Sequence, residues 1–170
     1  MTALAYALIA NDIELAVSVL GDEEDFASDE FRSLVEMFPN LTVLIEHYGR
    51  PNLDERPPYP LYRRVLSLAN YPNTYMKIGG LNEVCVRLRP FHQPNPMSEV
   101  PPFVKMAIEA FAPRRLMFGT NFPPVAQQEG YRNSIYRLMD YLSYLSQEDL
   151  EGIFGQTALQ VWLFPEEPAP

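Results

Sequence analysis

The sequence predicts an α/β fold built on a parallel sheet. Four short apolar segments are typical of buried strands, and amphipathic helical segments separate them. The strand segments begin roughly 30 to 40 residues apart, which is the length of one strand–helix unit. Strands that alternate with helices form parallel sheets with right-handed crossovers. The predicted strands are Ile13–Leu20, Leu41–His47, Thr74–Ile78 and Leu116–Gly119.

Helical segments complete the predicted order. Pro101 and Pro102 suit the first turn of a helix, and Ser146 with Asp149 forms a capping pattern for the first free backbone N–H groups. The apolar start, Met1–Ala10, lacks a basic flank, so we interpret it as the end of a helix rather than a signal peptide. The predicted helices are Phe26–Met37, Tyr62–Ala69, Phe103–Phe111, Tyr131–Leu145 and Gln147–Phe164.

The composition argues against several classes of function. The chain has 170 residues, of which 13 are basic and 22 acidic, and a net charge of −9. Binding to nucleic acid needs clustered Lys and Arg, so this balance argues against it. No apolar run approaches the roughly 20 residues of a membrane span. Cys85 is the single cysteine and cannot form an internal disulfide. We therefore expect a soluble cytoplasmic protein with a small-molecule substrate and neither nucleic acid nor membrane as partner.

Two folds fit this order of elements, a small doubly wound sheet and half of a (β/α)8 barrel. Three of the four strands lead into turns with reactive or Gly-rich residues, at 46–50, 77–80 and 119–121. Such residues at the carboxyl ends of strands are typical of TIM barrels. A dinucleotide-binding sheet needs Gly-x-Gly-x-x-Gly after a strand, and Gly79-Gly80-Leu81 does not supply it. The strand ends therefore favour the barrel.

Four segments carry a more specific pattern. Phe38–Pro51 ends in a His-x-Gly turn, and Tyr71–Leu81 contains Asn-x-Tyr-x-Lys before Gly-Leu. Pro113–Pro124 contains Arg-x-Met-Phe-Gly-Thr-Asn-Phe-Pro, and Ile153–Ala158 contains Gly-x-Thr-Ala. In this order they resemble strands six, seven and eight and the terminal helix of the amidohydrolase-related family, which includes lactonases and dicarboxylate hydrolases. The resemblance implies the C-terminal half, about strands 5–8, of a (β/α)8 TIM barrel at residues 1–164, followed by a Pro-rich tail at 165–170.

The resemblance also implies a function and a site. It points to a metal-dependent hydrolase of lactones, esters or amide-like bonds, in which a divalent ion, zinc above all, activates water and polarises the carbonyl. Decarboxylation is an alternative chemistry within the family. The resemblance makes His47 a catalytic residue and metal ligand, and Asn121 the catalytic position where the family has Asp. Arg50 and Lys77 are candidates for binding a substrate carboxylate. Alternatively, they pair with Glu46, Glu83 or Asp54.

Two departures from the family pattern bear on activity. The sequence contains only His47 and His92 and no His-x-His, whereas a catalytic zinc uses about three protein ligands. Asn121 is a neutral amide, which cannot act as a general base near neutral pH. We therefore expect the chain alone to be a poor catalyst. The alternative is a non-catalytic half-barrel, a truncated product or a fragment. Its open sheet edges and uncovered apolar interior are expected to make it self-associate or pair with a separate N-terminal half.

Other reactive side chains receive simpler interpretations. Asn121 also suits a turn after a strand, and His92 lies in a Pro-rich segment and is expected to be exposed. We interpret Glu129 as part of a helix start. The run 22–25 is interpreted as a solvated loop whose charge favours a helix N-terminus. Cys85 has no base nearby in the sequence, which argues against a nucleophilic role.

Overall fold

Strands and helices alternate through most of the protein. The computed structural model describes residue 7 and residues 10–12, 15–85 and 99–162. Most of the predicted helix end at Met1–Ala10, His92 and the tail at 165–170 lie outside these residues. The strands are β1 (Val17–Val19), β2 (Val43–Ile45), β3 (Thr74–Ile78) and β4 (Leu116–Phe118). The α-helices are α1 (Glu23–Ala27), α2 (Asp29–Met37), α3 (Pro60–Leu66), α4 (Phe103–Phe111), α5 (Tyr131–Tyr141), α6 (Gln147–Glu151) and α7 (Thr157–Val161).

The four strands form one parallel sheet in the order β1-β2-β3-β4. This confirms the predicted α/β fold with a parallel sheet. Successive side chains of a strand point to opposite faces. In β3, Met76 and Ile78 are buried in the main core, whereas Tyr75 and Lys77 are half-buried. One face of the sheet therefore packs against the helices, and the other face carries Tyr75 and Lys77.

The main core lies between the sheet and the helices. The rings of Tyr62 in α3 and Phe103 in α4 meet edge to face, with centroids 5.1 Å apart, a favoured geometry for aromatic pairs. Both side chains are fully buried, as is Phe111 at the end of α4. Because all the strands are parallel, their carboxyl ends lie at one edge of the sheet.

The face of the sheet that carries Tyr75 and Lys77 also contains buried apolar residues. Leu44 lies in register with Tyr75 and Met117 with Lys77, so both point away from the main core. Leu44 is 2% exposed and Met117 is 3% exposed. The expectation of an uncovered apolar interior is therefore wrong at these two residues.

Three of the four predicted strands are longer than the observed ones, whereas the predicted strand Thr74–Ile78 coincides with β3. In the first predicted strand, Leu15 and Ala16 precede β1, and the backbone N–H of Leu15 donates to the carbonyl of Ala10. His47, predicted as the end of a strand, instead begins a 3₁₀ turn, His47–Gly49. Beyond β2, the polar residues that were predicted to extend the strand belong to a turn.

The predicted helix Phe26–Met37 is two helices, α1 and α2, joined at Ser28. The Ser28 side-chain oxygen accepts a hydrogen bond from the Phe31 N–H at 3.1 Å and donates one to the Asp25 carbonyl at 2.7 Å. The residue therefore closes α1 and caps α2. Its backbone is extended, which interrupts the helix although the apolar spacing continues through it.

We expect Ser28→Ala to lower the free energy of unfolding by about 1 kcal/mol, because removal of an N-cap hydroxyl leaves the first turn of α2 unsatisfied. Urea denaturation would measure the change. Ser33→Ala is the control, since Ser33 is exposed within the same helix. Equal effects of the two substitutions would contradict the capping role.

The last predicted helix is composite. Its predicted cap is confirmed, since the Ser146 hydroxyl accepts the Asp149 N–H at 3.1 Å. A π-helix, Gly152–Gln156, connects α6 and α7. Phe154 in this segment packs on Phe118 of β4 with ring centroids 4.9 Å apart. Among the described residues, no helix has the length and apolar character needed to cross a membrane.

Candidate functional site

A pocket of about 610 Å³ lies at the carboxyl ends of the strands. Residues that follow β1, β2, β3 and β4 all contribute to it, as expected where parallel strands end at one edge. Three predicted site residues, His47, Arg50 and Asn121, line it together. The other described lining residues are Leu20, Asp22, Glu23, Glu24, Pro51, Asn52, Leu53, Asn82, Glu83 and Gln128.

His47 lies in a strained turn directly after β2. The backbone φ angles of His47, Tyr48 and Arg50 are 53°, 57° and 50°, in the left-handed region that bulky residues rarely adopt. The fully buried Tyr48 hydroxyl donates to the Gly79 carbonyl at 2.8 Å and anchors this turn to the end of β3. Strain of this kind persists where surrounding contacts enforce it, and it is concentrated at functional sites.

Glu83 is the hydrogen-bond partner of His47. The Nδ1 atom of His47 lies 2.8 Å from Oε1 of Glu83, whose side chain is 7% exposed. The other ring nitrogen, Nε2, is 3.8 Å from Oε2 of Glu46. The pairing of Glu83 with His47 was not predicted from the sequence. The available signal was the Gly79-Gly80 pair, which leaves room for carboxylate side chains at the end of β3.

Lys77 forms an ion pair with Glu46, which also accepts a hydrogen bond from Ser18. Lys77 lies on the face of the sheet opposite the main core. It is not one of the residues that line the pocket. The ion-pair alternative weighed for Lys77 is therefore observed. Arg50, by contrast, is exposed and lines the pocket. Substrate binding by either residue stays a prediction.

Asn121 follows β4 and has a φ of 55°. Asn adopts the left-handed region more readily than most residues, so the turn interpretation holds for this position. Its carbonyl accepts the Val125 N–H at 3.1 Å. This turn places the Asn121 side chain in the pocket lining, and its catalytic role remains a prediction.

Glu23 corrects the interpretation of 22–25 as a solvated loop. Asp22 and Asp25 form a reciprocal cap at the start of α1, but Glu23 is only 2% exposed. Burial raises the pKa of Glu23 to about 7, and the nearby Glu55 and Glu24 add to the rise. The Asn52 N–H, which donates to Oε2 at 3.2 Å, acts in the opposite direction. Glu23 thus links α1 to the segment after the His47 turn.

The raised pKa of Glu23 predicts that stability falls as the pH rises. Between about pH 4.5 and 7 the folded state holds a proton that the unfolded state has lost, so unfolding becomes easier with increasing pH. The loss is on the order of 2–3 kcal/mol. We expect Glu23→Gln to remove this part of the pH dependence in urea denaturation. Glu30→Gln, at an exposed carboxyl group that does not contribute to the pKa of Glu23, should leave it in place; an unchanged slope in Glu23→Gln would contradict the assignment.

A second buried carboxyl lies behind the pocket. Glu129 is 5% exposed, and its Oε1 accepts the Asn82 N–H at 3.3 Å. Burial raises the pKa of Glu129. The interpretation of Glu129 as only part of a helix start was therefore incomplete. Burial also raises the pKa of the Cys85 thiol to about 11, which keeps it protonated and agrees with the absence of a nucleophilic role.

The side chains described at this site do not fit a catalytic metal. In the described ranges, no group of three or more His, Cys, Asp or Glu side chains could hold a metal ion, whereas a catalytic zinc uses about three protein ligands. Nδ1 of His47 is bonded to Glu83, and the Lys77 ammonium neutralises Glu46. We therefore derive no step through a metal at these residues.

Comparison with known proteins identifies the family. The sequence model described as Amidohydrolase matches residues 13–164. The chain belongs to the amidohydrolase family. This family member is 28% identical over 114 residues to L-rhamnono-gamma-lactonase of Scheffersomyces stipitis, a match that covers 59% of the chain and 34% of the lactonase.

Solved structures support the same fold. A crystal structure of an amidohydrolase from Burkholderia multivorans, with bound HEPES, has a TM-score of 0.78 at 20% identity and covers 95% of this chain and 57% of its own. Another crystal form of a Burkholderia multivorans amidohydrolase, with bound zinc, has a TM-score of 0.73 at 20% identity over the same shares. A Pseudomonas putida protein described as a 2-pyrone-4,6-dicarboxylic acid hydrolase has a TM-score of 0.72 at 16% identity, covering 95% of this chain and 58% of its own. The chain thus spans little more than half of these structures and about a third of the lactonase.

Proposed function

We propose that this chain supplies the substrate-binding and catalytic face of a lactone hydrolase. The observation that carries the proposal is the convergence of His47, Arg50 and Asn121 on one pocket at the carboxyl edge of a parallel sheet. Membership of the amidohydrolase family and the similarity to a lactonase support the same reaction class. Hydrolysis of a cyclic ester needs a group that accepts a proton from water and donors that stabilise the developing oxyanion.

The charge of the pocket favours a neutral, hydroxyl-rich lactone over a dicarboxylate. Among the described lining residues, four carry carboxyl groups, whereas Arg50 is the only one with a permanent positive charge. A doubly negative substrate would meet repulsion from these carboxyl groups. The remaining polar lining consists mainly of amides, which both donate and accept hydrogen bonds and therefore suit hydroxyl groups. The carboxyl groups belong to Asp22, Glu23, Glu24 and Glu83, and the amides to Asn52, Asn82, Asn121 and Gln128.

The proposed chemistry assigns one role to each of three residues. His47 accepts a proton from the attacking water through Nε2, the ring nitrogen that is not bonded to Glu83. The Arg50 guanidinium and the Asn121 amide N–H groups donate hydrogen bonds to the lactone oxygens. Because Asn121 cannot accept the proton, His47 carries that step alone, and we expect slow turnover.

We also propose that the sheet is the C-terminal half of a (β/α)8 barrel. The coverage of 57–58% of the solved amidohydrolase structures supports this proposal, as does a parallel sheet in which β1 and β4 each pair on one side only among the described residues. Unpaired strand edges are sites of association. We therefore propose, as a second function, pairing of the chain with itself or with a separate N-terminal half. Light scattering that shows a monomer with and without such a half would contradict it.

A titration followed by NMR tests the substrate class. Rhamnono-γ-lactone is expected to shift the side-chain amide signals of Asn82, Asn121 and Gln128, whereas 2-pyrone-4,6-dicarboxylate leaves them unchanged. Asn70 is an internal control because it lies in a turn before β3, at the opposite end of the sheet. The reverse preference, or lactone shifts at Asn70 alone, would contradict the proposed pocket. Lactone hydrolysis followed by pH indicator then tests turnover, which His47→Gln is expected to abolish.

A further inference from the structure

We propose that Glu83 is a positioning residue that holds His47 in the tautomer with its proton on Nδ1. Nε2, which lies 3.8 Å from Oε2 of Glu46, then keeps its lone pair. This inference rests on the proposed function in one respect, namely that His47 uses this lone pair to accept a proton from water. The tautomer itself follows from the contacts around the ring.

The first argument is the chemistry of the partner. An ionised carboxylate only accepts hydrogen bonds, so the 2.8 Å contact between Nδ1 and Oε1 of Glu83 requires the proton on Nδ1. On the other side of the ring, Nε2 is 3.8 Å from Oε2 of Glu46, which is beyond hydrogen-bond distance. Glu46 is also occupied by Lys77 and Ser18. The two carboxylates near His47 are therefore not equivalent, and Glu83 decides the tautomer.

The second argument is the space made for Glu83. A Cβ atom at Gly79 would overlap the Glu83 carboxylate, and one at Gly80 would overlap the Glu129 carboxylate. The Gly79 carbonyl also accepts the Tyr48 hydroxyl, which fixes the His47 turn. The imidazole and its carboxylate are thus both positioned against Gly79, so their separation depends little on the rest of the pocket.

The third argument is burial. The Glu83 side chain is almost entirely covered, and its Oε2 has no hydrogen-bond partner among the described residues. Because Oε2 is buried without a partner, the bond to His47 is the one side-chain hydrogen bond of this carboxylate among the described residues. A hydrogen bond to a charged group is strong enough to bias the two tautomers about 10-fold or more.

The experiment is NMR of ¹⁵N-labelled protein near neutral pH, with the ring nitrogens of His47 observed through two-bond couplings to the ring protons. A His92→Gln variant keeps His47 as its single histidine and so identifies the His47 signals. We expect a protonated Nδ1 and an unprotonated Nε2 in the wild-type chain. A protonated Nε2, with Nδ1 either bare or protonated, would overturn the inference without any further variant.

Two substitutions separate the carboxylates. Glu83→Leu is expected to lower the ratio of the Nδ1–H to the Nε2–H tautomer by about 10-fold or more, whereas Glu46→Gln should leave this ratio unchanged. An unchanged tautomer in a folded Glu83→Leu protein, or a reversed one in Glu46→Gln, would contradict the role of Glu83 in determining the tautomer. If Glu83→Leu does not fold, the wild-type spectrum still shows which ring nitrogen is protonated, and the Glu46→Gln spectrum still shows whether Glu46 determines it. None of these spectra needs turnover, so an inactive protein with the Nδ1–H tautomer would refute the lactone hydrolase and leave the role of Glu83 intact.

Discussion

Replacing Gly49 with alanine is expected to lower the free energy of unfolding by about 2–5 kcal/mol. Gly49 has a φ of +71°, a conformation that costs a non-glycine residue roughly 1–2 kcal/mol. An added Cβ would also lie 2.6 Å from Cγ1 of Val65. Val65 is fully buried in α3, so the clash cannot be relieved outward, and overpacking of this kind costs about 1–3 kcal/mol. Urea denaturation measures the sum.

Two other glycines separate the contributions to this loss. Gly130 has a φ of +86° but open space where a Cβ would be added, so Gly130→Ala isolates the backbone strain. Gly155 has neither a positive φ nor a close neighbour, so Gly155→Ala serves as the baseline. We expect the destabilisation to decrease from Gly49 to Gly130 to Gly155. If Gly130→Ala costs as much as Gly49→Ala, contact with Val65 is not the cause.

The same turn shows what could be predicted from the sequence. The apolar centre of β2 is a local feature, so the strand followed from the pattern, but His47 was predicted at its end and instead begins the turn. The packing of Gly49 against Val65 joins the turn after β2 to α3 and is a tertiary contact, which no periodicity reveals. The break at Ser28 was missed for a related reason, because the apolar spacing of α1 continues into α2.

The candidate site also contains some residues that could be predicted from the sequence and others that could not. The family resemblance made His47 and Asn121 site residues, and Arg50 was a candidate for binding a carboxylate; all three line one pocket. Glu23 and Glu83 were not predicted as pocket residues with special roles, because their properties come from burial. In the sequence Glu23 belongs to an acidic run, which is ordinarily solvated, and only the packing of α1 covers it. The protonation of a carboxyl group therefore depends on contacts that the sequence does not display.

The second large effect is expected at position 121. In a barrel completed by the N-terminal half of a family member, Asn121→Asp should raise the rate of lactone hydrolysis about 100-fold or more. A positioned general base contributes roughly 10²–10⁴ to a rate, and an aspartate here would share the proton step with His47. Asp tolerates the left-handed backbone of this turn as Asn does, so the fold should be preserved. Steady-state hydrolysis of a neutral lactone is the measurement, and the chain alone should gain little.

A gain at position 121 could come from the added negative charge or from the placement of the carboxylate after β4. Asn52→Asp distinguishes these two causes. Asn52 lines the same pocket, and its side-chain oxygen accepts the Asp54 N–H at 3.0 Å, a bond that Asp retains. This variant adds the same negative charge away from the end of β4, so a general electrostatic effect would appear in both proteins. A gain confined to position 121 identifies the missing carboxylate as the limit on catalysis. Equal gains would show a general electrostatic effect. No gain at 121 in the completed barrel would mean that His47 already performs the proton step and that the amide at 121 serves binding, as its hydrogen-bonding capacity allows.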